Sequence, residues 1–187
     1  VNAAISRAAA AVPVPDAPAI LPPSDGWRIY SVADIPRFHP ETYRLEVGGL
    51  VERPQRLAWS EVAAMPGAAQ VSDFHCVTGW TVRKVRWEGI RPQTLVDLVR
   101  PRPEARHVRF VSLEEPYEDW LTLEQFLLAD VLVARTMDGA PLSRAHGAPL
   151  RLVIPEMYGY KNVKWLGGIR FEAAAEDGYW EERGYDV

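Results

Sequence analysis

The sequence predicts an α+β fold with a mixed sheet, and three observations carry that prediction. Strand-like alternation recurs along the chain, short helix signals fall between the strands, and the regular strand-helix-strand spacing of a doubly wound sheet is missing. Tyr43-Arg44-Leu45-Glu46-Val47 alternates apolar with polar, as a half-buried strand does, and Gly48-Gly49 ends it. Ser60 is positioned to cap a short helix over 61–65, stopped by Pro66. A second helix is predicted over 92–100, burying Leu95, Leu98 and Val99 and closed by Pro101. Thr122-Leu123-Glu124-Gln125 fits a capping box, with Leu123, Phe126 and Leu127 at helical spacing behind it. Strands over 107–112, 131–137 and 150–154 are rich in β-branched and apolar residues, and Asp138-Gly139 supplies a tight turn after the second.

A chain of 187 residues that is 48% hydrophobic can bury roughly two-thirds of its unfolded surface in one core. The boundaries read as an Ala- and Pro-rich linker or arm over 1–23, a globular domain over 24–176 and a tail over 177–187. The net charge is -4 and there is no dense basic run, so nothing in the chain would neutralise a nucleic-acid backbone. No apolar stretch approaches the roughly 20 residues that span a bilayer. The sequence begins with Val1, and a processed or truncated N-terminus, once preceded by an export signal or membrane segment, is the expectation.

Signatures of phosphate-binding loops, dinucleotide folds, zinc proteases and serine hydrolases are all missing. Chemistry therefore rests on other residues. Cys76 is the only cysteine, which leaves three roles: metal ligand, nucleophile or small buried hydrophobe. It falls where a strand gives way to the loop Thr78-Gly79. His75 beside it points to the opposite face of an extended segment and is read as a hydrogen-bonding residue. Arg151 sits inside an apolar strand pattern, where a guanidinium wants an anionic partner unless its head reaches water. Lys161 and Lys164 bracket Asn162-Val163 between glycines, an arrangement that lets backbone N–H groups and point charges approach an anion. A soft-metal ligand and an anion clamp in one chain suggest a phosphorylated, metal-bearing cofactor.

Three runs, Asp73-Phe74-His75-Cys76-Val77-Thr78-Gly79-Trp80, His146 to Pro155, and Tyr158-Gly159-Tyr160-Lys161-Asn162-Val163-Lys164-Trp165-Leu166, resemble the molybdopterin-dependent oxidoreductases of the sulfite oxidase fold. That family includes the catalytic subunit of periplasmic methionine sulfoxide reductase, and the resemblance spans Trp27 to Phe171. It implies a sulfite oxidase-type molybdopterin-binding fold in which Cys76 ligates molybdenum. By the same resemblance His146, Arg151, Asn162, Val163 and Lys164 contact the cofactor, Ser112 matches a Thr-type pterin contact, and Tyr30 and Ser31 lie where the N-terminal segment touches it. Tyr117 resembles the active-site tyrosine.

The departures bear on substrate. Sulfite oxidases carry arginines shortly beyond the metal-binding cysteine, whereas this chain has Gly79-Trp80-Thr81, so sulfite is disfavoured. The resemblance implies two-electron chemistry, oxygen-atom transfer on a small-molecule substrate, outside the cytoplasm beside a membrane haem or quinone-linked electron partner. Two alternatives stay open: a thiol enzyme using Cys76 with His107 or His146 as base, and a non-catalytic molybdopterin-binding module.

Overall fold

The computed structural model describes residues 26–185. The arm assigned to 1–23 lies outside the described residues. Among the described residues, ten strands form two five-stranded sheets, with three short α-helices between them. In the first sheet the strands are β1 (Arg44–Gly49), β2 (Gln55–Ala58), β5 (His107–Ser112), β6 (Glu118–Thr122) and β10 (Leu166–Glu172), in the order β2-β1-β10-β5-β6. The pair β1 with β10 is parallel and the others are antiparallel, so the sheet is mixed as the sequence predicts. The second sheet orders β3 (Ala68–His75), β4 (Thr81–Ile90), β7 (Leu132–Met137) and β8 (Ala140–Pro141), with β9 (Arg151–Val153) also paired to β7.

Alternation along the strands builds two apolar clusters. Leu45 and Val47 of β1, Val108 and Phe110 of β5 and Ile169 and Phe171 of β10 point into the larger one. Each such fully buried side chain stabilises by roughly 1.5–3 kcal/mol. The smaller cluster gathers Trp27, Ile29, Val85, Trp87, Leu132, Ala134 and Val153. Strand β9 divides its residues between them: Leu152 enters the larger cluster and Val153 the smaller. A period of two then puts Arg151 on the same face as Val153, which turns its guanidinium toward the aromatic cluster.

The helices are α1 (Trp59–Ala64), α2 (Pro92–Val99) and α3 (Leu123–Phe126). For α3 the capping box is present: Thr122 Oγ1 accepts from Gln125 N at 3.1 Å and Gln125 Oε1 accepts from Thr122 N at 2.8 Å. Phe126 is fully buried, whereas Leu127 is 37% exposed, because the helix ends before Leu127 can complete an inward face. Helix α1 starts ahead of the predicted cap. Its N-cap is Ala58, and Glu61 reaches back to the Ala58 N–H at 2.8 Å, so Ser60 lies inside the first turn. Helix α2 buries Leu95 and Val99 and leaves Leu98 partly covered. The turn Asp138-Gly139 has φ of 52° and 81°, the left-handed pair that a two-residue hairpin between β7 and β8 needs. Among the described residues, no helix is long and apolar enough to cross a membrane.

Candidate active site

One cavity, about 890 Å³ when its open mouth is counted, lies beside the smaller cluster. Cys76, Tyr30, Ser31, Tyr117, His146, Arg151, Asn162 and Lys164 all line it. Ser112 and Val163 do not. Ser112 lies one layer below, where its hydroxyl donates to the Lys164 carbonyl at 2.8 Å and accepts from Glu114 N at 2.9 Å. Val163 points into the larger apolar cluster.

Cys76 opens the turn between β3 and β4. Its N–H donates to the Trp80 carbonyl at 2.9 Å and its carbonyl accepts from Gly79 N at 3.0 Å. Gly79 has φ of 88°, a conformation that L side chains rarely adopt, so glycine is what lets the turn aim the thiol inward. Sγ lies 3.2 Å from Thr78 Oγ1. Burial pushes the thiol pKa up, against the opposing pull of Thr78 and of the Arg28 and Lys164 cations. A bare Cys76 therefore holds its proton and is a poor nucleophile. His75 donates to or accepts from Thr81 Oγ1 at 3.0 Å, away from the cavity.

Three cations, Arg28, Arg151 and Lys164, line the same cavity, and the last two are set within the fold. Arg151 is 2% exposed, lies over the rings of Phe74 and Trp87 at 5.2 and 5.1 Å and donates to the His146 carbonyl at 3.3 Å. No carboxylate pairs with it among the described salt bridges. Lys164 Nζ donates to the Tyr30 carbonyl at 2.5 Å and sits 4.0 Å from the centre of the Trp165 ring. Burial, with Arg151 adding to it, lowers the Lys164 pKa to about 7. His146 is lowered to about 4, by burial first and then by Arg151 and Lys164, and is neutral. Glu114 is the buried carboxylate of the cavity wall, and its Oε1 is already occupied by the Ser31 hydroxyl and the N–H groups of Val32 and Ala33.

The cavity thus carries surplus positive charge and unused donors. Arg151 Nε and His146 Nδ1 are buried without a hydrogen-bond partner among the described residues, as is Trp80 Nε1. Such groups are costly unless an acceptor meets them. An anionic, acceptor-rich molecule held by Arg151, His146 and Lys164 satisfies all of this, and a soft metal beside Cys76 would displace the thiol proton. The donor set fits a phosphorylated, metal-bearing cofactor.

A pH dependence follows. An anion bound beside Lys164 favours its charged form, so binding takes up a proton once the free lysine has lost one. In cofactor-free protein, inorganic pyrophosphate is expected to bind more weakly as pH rises from 6 to 9, with the loss setting in near pH 7. Isothermal titration checks this, and flat affinity across that window would remove Lys164 from the anion site.

Several residues stand apart from the sequence reading. Lys161 is not available to an anion: it is buried and paired with Asp119 at 2.6 Å and with Glu181. Tyr117 lines the cavity, but its hydroxyl donates to the Tyr160 carbonyl at 2.5 Å and its ring stacks on Tyr179. The described part of the 177–187 tail folds back, and Trp180 and Tyr185 line the cavity. Tyr185 is 8% exposed; burial, followed by the nearby Cys76 and Tyr30, raises its pKa, so it keeps a proton close to the thiol. Neither periodicity nor motif marks Trp27, Glu114, Trp180 or Tyr185 in the sequence.

Comparison with known proteins agrees with this donor set. The family described as oxidoreductase molybdopterin binding domain matches residues 32–180. The chain is 36% identical over 160 residues to the oxidoreductase YuiH of Bacillus subtilis, covering 85% of this chain and 80% of that one. It is 33% identical over 150 residues to the protein-methionine-sulfoxide reductase catalytic subunit MsrP of Gluconobacter oxydans, covering 71% of this chain and 48% of that one. To the sulfite oxidase of Arabidopsis thaliana it is 29% identical, covering 80% and 47%. The chain therefore spans most of YuiH and about half of the other two. The fold matches that of the sulfane dehydrogenase SoxCD from Paracoccus pantotrophus with a TM-score of 0.70 at 21% identity, over 75% of this chain and 41% of that one.

The chain belongs to the molybdopterin-binding oxidoreductase family. It is an oxidoreductase with molybdopterin as its cofactor, built on the sulfite oxidase-type fold.

Proposed function

We propose that this protein performs two-electron oxygen-atom transfer on a small substrate at the mouth of the cavity, with Cys76 as the protein ligand to molybdenum. The observation that carries the reading is that Cys76 shares one cavity with the buried Arg151 and with Lys164, neither of which forms a salt bridge among the described residues. Bound molybdopterin supplies the two-electron redox change. The chain supplies the rest. Arg151, His146 and Lys164 bind the anionic end of the cofactor. Asn162 holds the loop in place, accepting from Ile154 N at 2.7 Å and donating to the Tyr158 carbonyl at 3.0 Å. Tyr30 and Ser31 form the wall opposite, pinned through Glu114 and Lys164.

Tyr185, not Tyr117, supplies the hydroxyl that faces the reacting group. Tyr117 has already committed its proton to a backbone carbonyl, whereas Tyr185 keeps its own beside Cys76. A neutral phenol there can donate to a substrate oxygen. Trp27, Phe74, Trp80 and Trp180 exclude water around it.

A few residues beyond Cys76, where sulfite oxidases carry arginines, this chain has Gly79, Trp80 and Thr81, none of which can clamp a dianion, so a neutral sulfoxide suits the mouth better than sulfite even with Arg28 on the cavity wall. The kinship with a methionine sulfoxide reductase catalytic subunit supports the same choice. Electrons are exchanged with a membrane haem or quinone-linked partner, and the protein works outside the cytoplasm.

The test is metal analysis and pterin fluorescence on full-length protein purified from cofactor-producing cells, with viologen-linked turnover on methionine sulfoxide and ferricyanide-linked turnover on sulfite. Stoichiometric molybdenum with turnover on the sulfoxide is the expected result. Protein that carries neither metal nor pterin would falsify the assignment, and turnover on sulfite alone would reverse the choice of substrate.

A further inference from the structure

The C-terminal segment 178–185 walls the cavity, yet it belongs to neither sheet. It is tied down by a buried ion cluster. Lys161 Nζ lies between Asp119, at 2.6 Å, and Glu181, and also donates to the Trp120 carbonyl at 3.0 Å. All three charged side chains are under a tenth exposed. Glu181 has two tasks, because its other oxygen accepts from Gly178 N at 2.6 Å and closes the turn that starts the segment. A Cβ on Gly178 would lie 2.8 Å from Asp119 Oδ1, so the segment settles on the cluster only because residue 178 is glycine. From this anchor the chain continues as the turn Glu181–Arg183. Tyr185 N then donates to the Trp180 carbonyl at 3.1 Å, and their rings meet at 5.1 Å. Lys161 also directly precedes Asn162, so one lysine joins the cofactor loop to the cavity's outer wall.

We propose that Lys161 and Glu181 are positioning residues whose ion pair holds residues 178–185 as the cavity wall and fixes the Tyr185 hydroxyl beside Cys76. The proposal rests on the role given to Tyr185 above. Charge bookkeeping makes Glu181 the informative position. Removing it leaves Lys161 neutralised by Asp119, so the core keeps no orphan charge and the protein folds. Removing Lys161 instead would strand two buried carboxylates.

The experiment uses the cofactor-loaded full chain with Glu181→Ala, Tyr185→Phe and the double variant, and Gly178→Ala as an independent way to lift the segment. Hydrogen exchange reports on the amides of 179–185, and viologen-linked turnover on methionine sulfoxide reports on the site. Glu181→Ala and Gly178→Ala are expected to speed exchange in that segment about tenfold while leaving β5 and β10 unchanged, and to lower kcat about tenfold. The double variant is expected to be no slower than Tyr185→Phe alone, because both changes remove the same interaction.

Unchanged exchange in both Glu181→Ala and Gly178→Ala overturns the clamp. Losses that add in the double variant overturn its action through Tyr185. If exchange speeds up but Tyr185→Phe turns over normally, the clamp stands and the assignment of Tyr185 is what fails.

Discussion

Cys76→Ser is expected to retain pterin and lose turnover by at least about 100-fold, more than replacement of a residue that merely orients a metal ligand. A thiolate is a soft donor suited to molybdenum, whereas a serine oxygen is hard and far less acidic. The protein fold has little stake in the change. Cys76 sits in a turn held by main-chain bonds to Trp80 and Gly79, and a serine hydroxyl can make the contact to Thr78 that the thiol makes now at 3.2 Å. Thermal unfolding of the variant should accordingly match the parent within about 1 kcal/mol. Pterin content, metal content and turnover measured on one preparation check all three statements. Full turnover would remove Cys76 from the metal. The same experiment separates the thiol-enzyme alternative, which predicts neither pterin nor metal. That alternative already has a difficulty, since burial keeps the thiol protonated and His107, bonded toward the Ala173 carbonyl at 3.3 Å, does not line the cavity.

Arg151→Met should move stability and cofactor content in opposite directions. In the cofactor-free chain Arg151 is a fully desolvated guanidinium, lowered by burial to about 10 yet still charged at neutral pH. It lies over the rings of Phe74 and Trp87 and is in no salt bridge among the described residues. Exchanging a buried charge for an apolar side chain of similar length is often stabilising by about 1–4 kcal/mol, and the cofactor-free variant should melt above the parent. The anion loses its most deeply buried partner at the same time, and molybdenum and pterin occupancy should fall by about 10-fold or more. Differential scanning calorimetry on cofactor-free protein and metal analysis on loaded protein read the two halves. A variant that melts lower without cofactor would mean that Arg151 serves the fold and not a ligand.

Much of this was legible from residue patterns, for identifiable reasons. Strands β1 and β5 each bury one face, so their alternation appears in the sequence; β5 falls on its predicted span, whereas β1 starts one residue later and runs on through Gly48 and Gly49, its predicted stop. Arg151 stood out for the related reason that a charged residue interrupts an apolar run. Lys161 and Lys164 show where such reasoning stops. They are three residues apart in one loop, but the turn Gly159–Lys161 and the left-handed Trp165, at φ of 50°, send them to different partners. One meets the carboxylates of Asp119 and Glu181 and the other meets the cavity. Spacing cannot distinguish two lysines whose roles depend on the torsion of the residues beside them. Tyr117 lines the cavity, but the acceptor for its hydroxyl, the Tyr160 carbonyl, comes from a segment distant in sequence and could not be read from its local pattern. Tyr185 stayed hidden because a segment outside both sheets has no period to read.

The parallel contact between β1 and β10 has a consequence for biogenesis. In the order β2-β1-β10-β5-β6 the last strand is the middle one, and it is further joined to the start of the domain by the Tyr43 hydroxyl, which donates to the Leu166 carbonyl across 123 positions of sequence at 2.7 Å. Until β10 leaves the ribosome, its neighbours exist only as two separate hairpins, and isolated hairpins are marginal in water. Assembly of this sheet therefore waits for β10 and has a long loop to close, so the order of strand pairing is set by the strand that comes last among the ten.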